Sequence, residues 1–332
     1  MTFNHRRLFD VELQPAVGTR FQPTGFPDIG TALFDRPRRN GEETEWDKAL
    51  IVESAQSMAN RLEATAWDES VNEPVDVFEG LPYVRVVHEQ DDEYLTSSRT
   101  EAHRLASAFI KDGVLDGKEG RAAIRERLGL RDDRPLAPRD VARAVFALDP
   151  FCLIHGVFFA EPATVWPGQP KIARVLTAFV EAVDVRRADS GGVKKDHVRH
   201  SLGEAVGGTA EGYGTVPFHR TEWTAGRIVA SFSIDLGQIA SYGLGEPASD
   251  LLEATALWEI RTLLEGGLRF RTACDLLPLN GEISGRDGAP LPTAGELEGH
   301  MRGLVQECSD LVGGGRPIEA RWGGGKTRGS GK

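Results

Sequence analysis

An α+β fold is what this sequence predicts, and three observations carry that expectation. "RIVASFSIDL" (227 to 236) alternates apolar and polar residues as a strand does. "ALIVESAQSMANRLEATA" (49 to 66) instead repeats its apolar residues at the helical period. No tandem repeat is visible, and long loops separate strands and helices along the chain. With 332 residues, 40% of them hydrophobic, the chain can bury a sizeable core as one large domain with insertions or as two ordinary ones.

Residues 13 to 34 read as a strand, a loop and a second strand. In "VGTRFQPTGFPDIGTALF" (17 to 34), Pro23, Gly25, Pro27 and Gly30 cannot all lie within one ladder. They define a loop that carries Arg20, Phe21, Gln22 and Phe26. In the 49 to 66 helix, Ile51, Ala55, Met58, Leu62 and Ala66 face a core, and Glu53, Gln56, Ser57 and Asn60 form the polar face. "YVRVVH" (83 to 88) is a short strand. Thr96 to Ser98 are N-caps for a helix across "TSSRTEAHRLASAFI", with Ala102, Leu105, Phe109 and Ile110 as its apolar stripe.

Further helices are expected at 119 to 129 and 139 to 148, the second led by Pro138. "FCLIHGVFFA" (151 to 160) reads as a buried strand interrupted by Gly156. Residues 171 to 187 are ambiguous, with strand character at their end and a turn at Ser190-Gly191-Gly192. Residues 189 to 226 are polar and Gly-rich, too long for an ordinary connection. A helix at 248 to 265, a strand near 268 to 277 and a helix near 293 to 311 follow. The last twenty residues read as mostly flexible.

Net charge is −11, which argues against nucleic acid until its distribution is considered. Residues 41 to 93 hold fifteen acids and three bases, a net of −12, so the rest sums to about +1. Basic clusters stand at Arg36/Arg38/Arg39, Arg99/His103/Arg104, Lys194/Lys195/Arg199 and in the tail at Arg321, Lys326, Arg328 and Lys332. Cys152, Cys274 and Cys308 are odd in number and far apart. They fit no disulfide framework or zinc spacing and indicate a reduced, cytoplasmic setting. No run approaches the roughly 18 apolar residues of a membrane span, and the N-terminus lacks a signal peptide's apolar stretch.

"WGGGKTRGSGK" resembles part of a phosphate-binding loop, but position 320 is Ala and only five residues follow Thr327, too few for the required helix. His197 and His200 are three apart, with His219 further on, yet no carboxylate or cysteine set completes a metal spacing. No nucleophile elbow is visible. No catalytic residue, metal or cofactor is therefore assigned. Arg99 and His103, four apart, would project together from a helix beside Arg104; a solvated, capped face reads equally well. "GYGTVPFHRTEW" (212 to 223) shares the chemistry of the 17 to 34 loop. Tyr213, Phe218 and Trp223 can stack, and His219, Arg220, Lys194 and Lys195 can meet phosphate.

Taken together, "LQPAVGTRFQPTGFPDIGTALF", "ALIVESAQSMANRLE", "LTSSRTEAHRLASAFI", "FCLIHGVFFA", "SGGVKKD" and "GYGTVPFHRTEW" resemble the RAMP-type backbone subunit of type I-U (also called I-G) CRISPR Cascade complexes, the divergent Cas-seven branch. The resemblance covers residues 13 to 280. It implies an RRM-like (ferredoxin-like) palm with inserted finger and thumb elements, polymerising along CRISPR guide RNA in a filament. It also implies contact with target DNA through the guide, with other copies of itself, with a large subunit and a guide-processing subunit, and with a helicase-nuclease, and no membrane partner. The implied organisation is one domain over 1 to 312, with a helical insertion at about 96 to 150, a thumb at about 186 to 223 and a flexible basic tail at 313 to 332.

By resemblance, Arg20, Phe21, Gln22 and Phe26 meet the guide where the first palm strand ends. Ser54, Gln56, Ser57 and Asn60 add phosphate hydrogen bonds. Arg99, His103 and Arg104 supply charge from a second element. Lys194, Lys195, Tyr213, His219 and Arg220 belong to the thumb. The RNP aromatic motif of ordinary RRM domains is absent. The acidic segment 41 to 93 is expected to face away from RNA or to meet a basic patch on the next copy. Two rivals stay open: a metal-independent RNA-processing endoribonuclease using His197, His200 or His219, and an acidic scaffold that binds no nucleic acid.

Overall fold

The computed structural model describes residues 5–324 apart from 27, 29, 42, 163, 195–215 and 314. Its main elements in chain order are β1 (Arg6–Pro15), β2 (Leu33–Asn40), β3 (Glu43–Glu53), α1 (Ala55–Ala64), β4 (Val84–His88), β5 (Tyr94–Ser97), α2 (Gly120–Arg127), α3 (Pro138–Leu148), α4 (Phe151–His155), β6 (Leu176–Val183), β7 (Arg186–Lys194), β8 (Val216–Thr224), β9 (Arg227–Asp235), α5 (Glu246–Gly266), β10 (Leu268–Arg271), β11 (Cys274–Pro278), α6 (Ala294–Glu307) and β12 (Ile318–Trp322). This is the α+β class that the sequence predicts.

Period-two alternation selects the centre of the larger sheet. Phe9, Val11 and Leu13 of β1, Ala178, Val180 and Ala182 of β6, and Ile228, Ala230, Phe232 and Ile234 of β9 are all buried on one face. Antiparallel pairing in the order β10-β11-β1-β9-β6-β3-β2 extends that face over seven strands. The core beneath it includes Met58 and Leu62 of α1 and Phe78, which meets Phe151 and Trp258 edge-on at 4.9 and 5.0 Å. The opposite face carries Asp10, Glu12 and Glu181. Burial raises the Glu181 carboxyl above its usual range, against the opposing pull of Arg36.

A second sheet orders Lys118–Glu119, Val114–Leu115, β12, β4 and β5. β12 lies parallel to β4, with Ile318 opposite Val84 and Trp322 opposite His88. The expected flexible tail is thereby corrected over Ile318–Trp322, where backbone pairing and the burial of Ala320 hold the chain. β7 and β8 continue the β6–β9 pair as a two-stranded arm, from Arg186 opposite Thr224 to Lys194 opposite Val216. No described helix is long and apolar enough to cross a membrane.

Four local expectations change. Residues 49 to 53 are strand instead of helix: Ala49, Leu50, Val52 and Glu53 are buried on both faces of β3, and α1 begins only after its N-cap, Ser54. Residues 151 to 155 are helix instead of strand. Asp149 accepts from the Phe151 N–H at 3.1 Å, and Gly156 ends the turn at φ 82°, where a Cβ would lie 2.8 Å from the Ile172 carbonyl oxygen. The long helix expected across residues 96 to 110 does not form: Tyr94–Ser97 is strand β5, residues 98 to 103 are turns, Arg104 sits at a φ of 52°, and only Ala108–Lys111 makes an α-helical turn. Ser190-Gly191-Gly192 lie inside β7 instead of at a turn. A Cβ on Gly191 would sit 2.9 Å from the Phe218 carbonyl oxygen, so the glycines permit close strand pairing.

Candidate functional site

The Pro/Gly loop between β1 and β2 is tied to the arm, to β3 and to the β10–β11 turn. The Phe21 N–H donates to the Trp223 carbonyl at 2.9 Å, and Trp223 returns the bond at 2.8 Å. The Gln22 N–H reaches Ala273 at 2.7 Å and the Thr24 N–H reaches Val52 at 2.9 Å. The Trp223 indole N–H donates to the Thr31 hydroxyl at 3.2 Å. Phe21 is therefore a correction to the interface expected from sequence: its ring is 1% exposed and fills the root of the arm. Phe26, in a two-residue bridge with Gly30, is 61% exposed and free to stack. Arg20 is exposed and pairs loosely with Glu222 at 3.5 Å.

Glu53 joins this loop to α1. Buried at the end of β3, its carboxylate receives Arg271, and Arg61 stands 3.6 Å away. Arg271 also donates to the carbonyls of Gln22 at 2.8 Å and Val52 at 3.2 Å. Arg61 in turn caps the Phe270 carbonyl at 2.8 Å and lies 4.9 Å over the Phe270 ring. Loop, β3, α1 and β10 are thus locked by one buried carboxylate and two guanidiniums. Beside it, Ser54 accepts from the Ser57 N–H at 3.3 Å as N-cap, and Gln56 and Asn60 present exposed amides. Asn60 also lines a cleft of about 190 Å³ with Glu63, Glu69, Arg99 and Glu101.

Arg99 and Arg104 are the second correction. Arg99 is buried against Asp149 at 2.7 Å, with its guanidinium 3.5 Å from the Phe151 ring centroid. Arg104 grips Glu63 with two bonds of 2.5 and 2.6 Å and donates to the Gly156 carbonyl at 3.0 Å. Burial works against the Arg104 cation, but Glu63 more than offsets it and holds the pKa above the usual value. Both bases are core ion-pair members, so neither is a surface charge. His103 alone of that cluster is exposed.

On the arm, His219 is exposed, with its Nε2 3.4 Å from Asp189, and the Arg220 guanidinium lies 5.6 Å from the Phe218 ring centroid. The Lys194 backbone ends β7. Lys195, His197, His200, Arg199 and Tyr213 lie outside the described residues, as do Lys326, Arg328 and Lys332. Among the described residues no group of three His, Cys, Asp or Glu side chains could hold a metal ion. The three thiols are buried, and burial raises each pKa.

Sequence reasoning missed one part of this region. Arg20 and Glu222 share a cleft of about 350 Å³ with Thr19, Arg269, Thr272 and Asp275. Residues 268 to 277 read as one strand; the hairpin at Thr272-Ala273 has neither Gly nor Pro to mark it. Arg271 was equally hidden, because its partners Gln22 and Glu53 lie some 250 and 220 positions away (separations 249 and 218).

The family model for CRISPR-associated protein GSU0053 (Cas_GSU0053) matches residues 8–187, which hold the loop, β3 and α1 and end at the start of β7. No curated protein matches the chain. One solved chain, described as "CRISPR RNA-guided surveillance complex, pre-nicking", is similar over 82% of this chain and 73% of its own, at 12% identity and a TM-score of 0.37.

Proposed function

The chain belongs to the CRISPR-associated GSU0053 family, and from that premise we propose that it is a non-enzymatic, CRISPR RNA-binding backbone subunit of a type I Cascade complex. On this reading, copies coat the guide in the cytoplasm and hold it for pairing with target DNA. The larger sheet with α1 and α5 serves as an RRM-like palm, and the β7–β8 arm serves as thumb. Other copies, a large subunit, a guide-processing subunit and a helicase-nuclease are its partners in antiviral defence.

The observation that carries the reading is the anchored surface around Glu53. Arg20, Gln22 and Phe26 on the loop, Gln56, Ser57 and Asn60 on α1, and His219 and Arg220 on the arm all belong to elements bound to one another there or through the Phe21–Trp223 bridge. Such a surface combines charge, amides and an exposed aromatic, which suits a ribose-phosphate chain read without base-edge contacts. Asp10, paired with Arg286, Glu12, paired with Arg227, and Glu181 occupy the sheet's other face, a charged surface unlike the aromatic base-stacking platform of ordinary RRM domains.

The test is to purify the protein from cells that express a CRISPR array and to sequence the RNA it retains. Repeat–spacer RNA of defined length is the expected product. RNA-free protein at low salt sinks the reading. Incubation of that RNA with wild-type protein is expected to leave it intact; cleavage lost in His219→Ala would instead establish the endoribonuclease.

A further inference from the structure

The geometry points to the cleft between the β1–β2 loop, the arm and the β10–β11 hairpin as a subsite for one ribonucleotide, in which Arg269 takes the phosphate and Asp275 accepts the ribose 2′-hydroxyl. This inference rests on the RNA-binding reading and adds to it a basis for preferring RNA over DNA.

The starting point is an unusual cross-strand pair. Arg269 and Asp275 stand directly opposite each other on β10 and β11. Opposite charges at such positions are close enough to pair. Yet neither side chain is ion-paired or hydrogen-bonded among the described residues. Their backbones are engaged instead: Arg61 donates to the Arg269 carbonyl at 3.4 Å, and the Ala16 N–H to the Asp275 carbonyl at 2.8 Å. The main chain is held while the two charged ends stay available.

The rest of the lining fits the same ligand. Arg20 supplies a second cation, 3.5 Å from Glu222, whose side chain is only 12% exposed. Thr19 and Thr272 add exposed hydroxyls that donate or accept. Two guanidiniums and two carboxylates sum to zero, so the cleft does not attract a polyanion by field alone. What it offers is adjacent cation and carboxylate. A free guanidinium takes anionic oxygens, and a free carboxylate takes a hydroxyl proton. One ribonucleotide presents both partners side by side; a deoxyribonucleotide lacks the second. The volume, about 350 Å³, is at the small end of ligand sites and matches a single unit.

The experiment compares three short single strands of one sequence: RNA, DNA and 2′-O-methyl RNA, titrated at one salt concentration. Wild type is expected to favour RNA over both others by ~10-fold, the value of one hydrogen bond to a charged acceptor. Asp275→Ala is expected to erase that gap with little change in DNA affinity. Arg269→Ala is expected to weaken all three strands alike. Equal binding of RNA and 2′-O-methyl RNA by wild type overturns the inference without any variant, while leaving the RNA-binding reading intact. Retention of the gap in folded Asp275→Ala overturns it as well. Failure of wild type to bind any strand at low salt removes the reading beneath it.

Discussion

Arg104→Met separates a structural from a nucleic-acid role for a base that the sequence alone presents as a surface charge. The side chain makes two charge-assisted bonds to Glu63 and a third to the Gly156 carbonyl, and both partners are 8% exposed. Removing one member leaves the Glu63 carboxylate buried without its cation, which costs about 3–5 kcal/mol. That corresponds to a loss of ~10²- to 10⁴-fold in the folding equilibrium constant. Urea unfolding followed by tryptophan fluorescence reads the change directly. Glu63→Gln combined with Arg104→Met should recover much of the loss, because no buried charge then stands alone. RNA affinity of the folded variant should stay within about twofold of wild type, since the guanidinium never reaches solvent. Stability within about 1 kcal/mol of wild type, together with a tenfold loss of RNA affinity, would refute the assignment of Arg104 to the core.

Phe21→Ala and Phe26→Ala should diverge although both sit in one loop. The first empties the root of the arm and is expected to cost about 3–5 kcal/mol by urea unfolding; the second should change stability by less than ~0.5 kcal/mol and instead weaken single-stranded RNA. The buried pair of His155 and Glu259, 2.9 Å apart and unexposed, should give the fold a stability maximum in mild acid. Burial lowers His155 to about 4 and raises Glu259 well above its usual range, so the folded pair holds one proton. Between about pH 4.5 and 6.5 the unfolded pair also holds one, on histidine, and the slope is zero. Above about 6.5 the unfolded chain releases that proton while the folded pair keeps it, and stability falls as pH rises. Between about pH 4.5 and 4 the unfolded chain binds a second proton before folded His155 does, and stability falls slightly as pH drops; below about 4 both states hold two and the slope vanishes. Glu259→Gln removes the alkaline limb; an unchanged alkaline limb in that variant, followed by urea midpoint against pH, contradicts the shared proton.

The sequence by itself determined the fold class and most element positions, because periodicity and end signals are local. The strand at 227 to 236, the helices at 120 to 127 and 138 to 148, and the long helix from 246 all follow from residues within one or two turns of each other. It also determined the kinship, through the order of several blocks, and marked the loop at 17 to 34 by its prolines and glycines. Tertiary structure decided what local pattern leaves degenerate. Ile51 and Met58 fit one helical stripe on paper, yet burial on two faces makes residues 49 to 53 a strand. Arg99 and Arg104 look like Arg20 in a sequence; only Asp149 and Glu63, brought in from 50 and 41 positions away, bury the first two and leave the third on the surface. The cleft of Arg269 and Asp275 was likewise invisible, since it exists only where the loop, the arm and an unmarked hairpin converge. Charge is written in the chain, but whether it is spent inside or offered to a partner depends on contacts between residues distant in sequence.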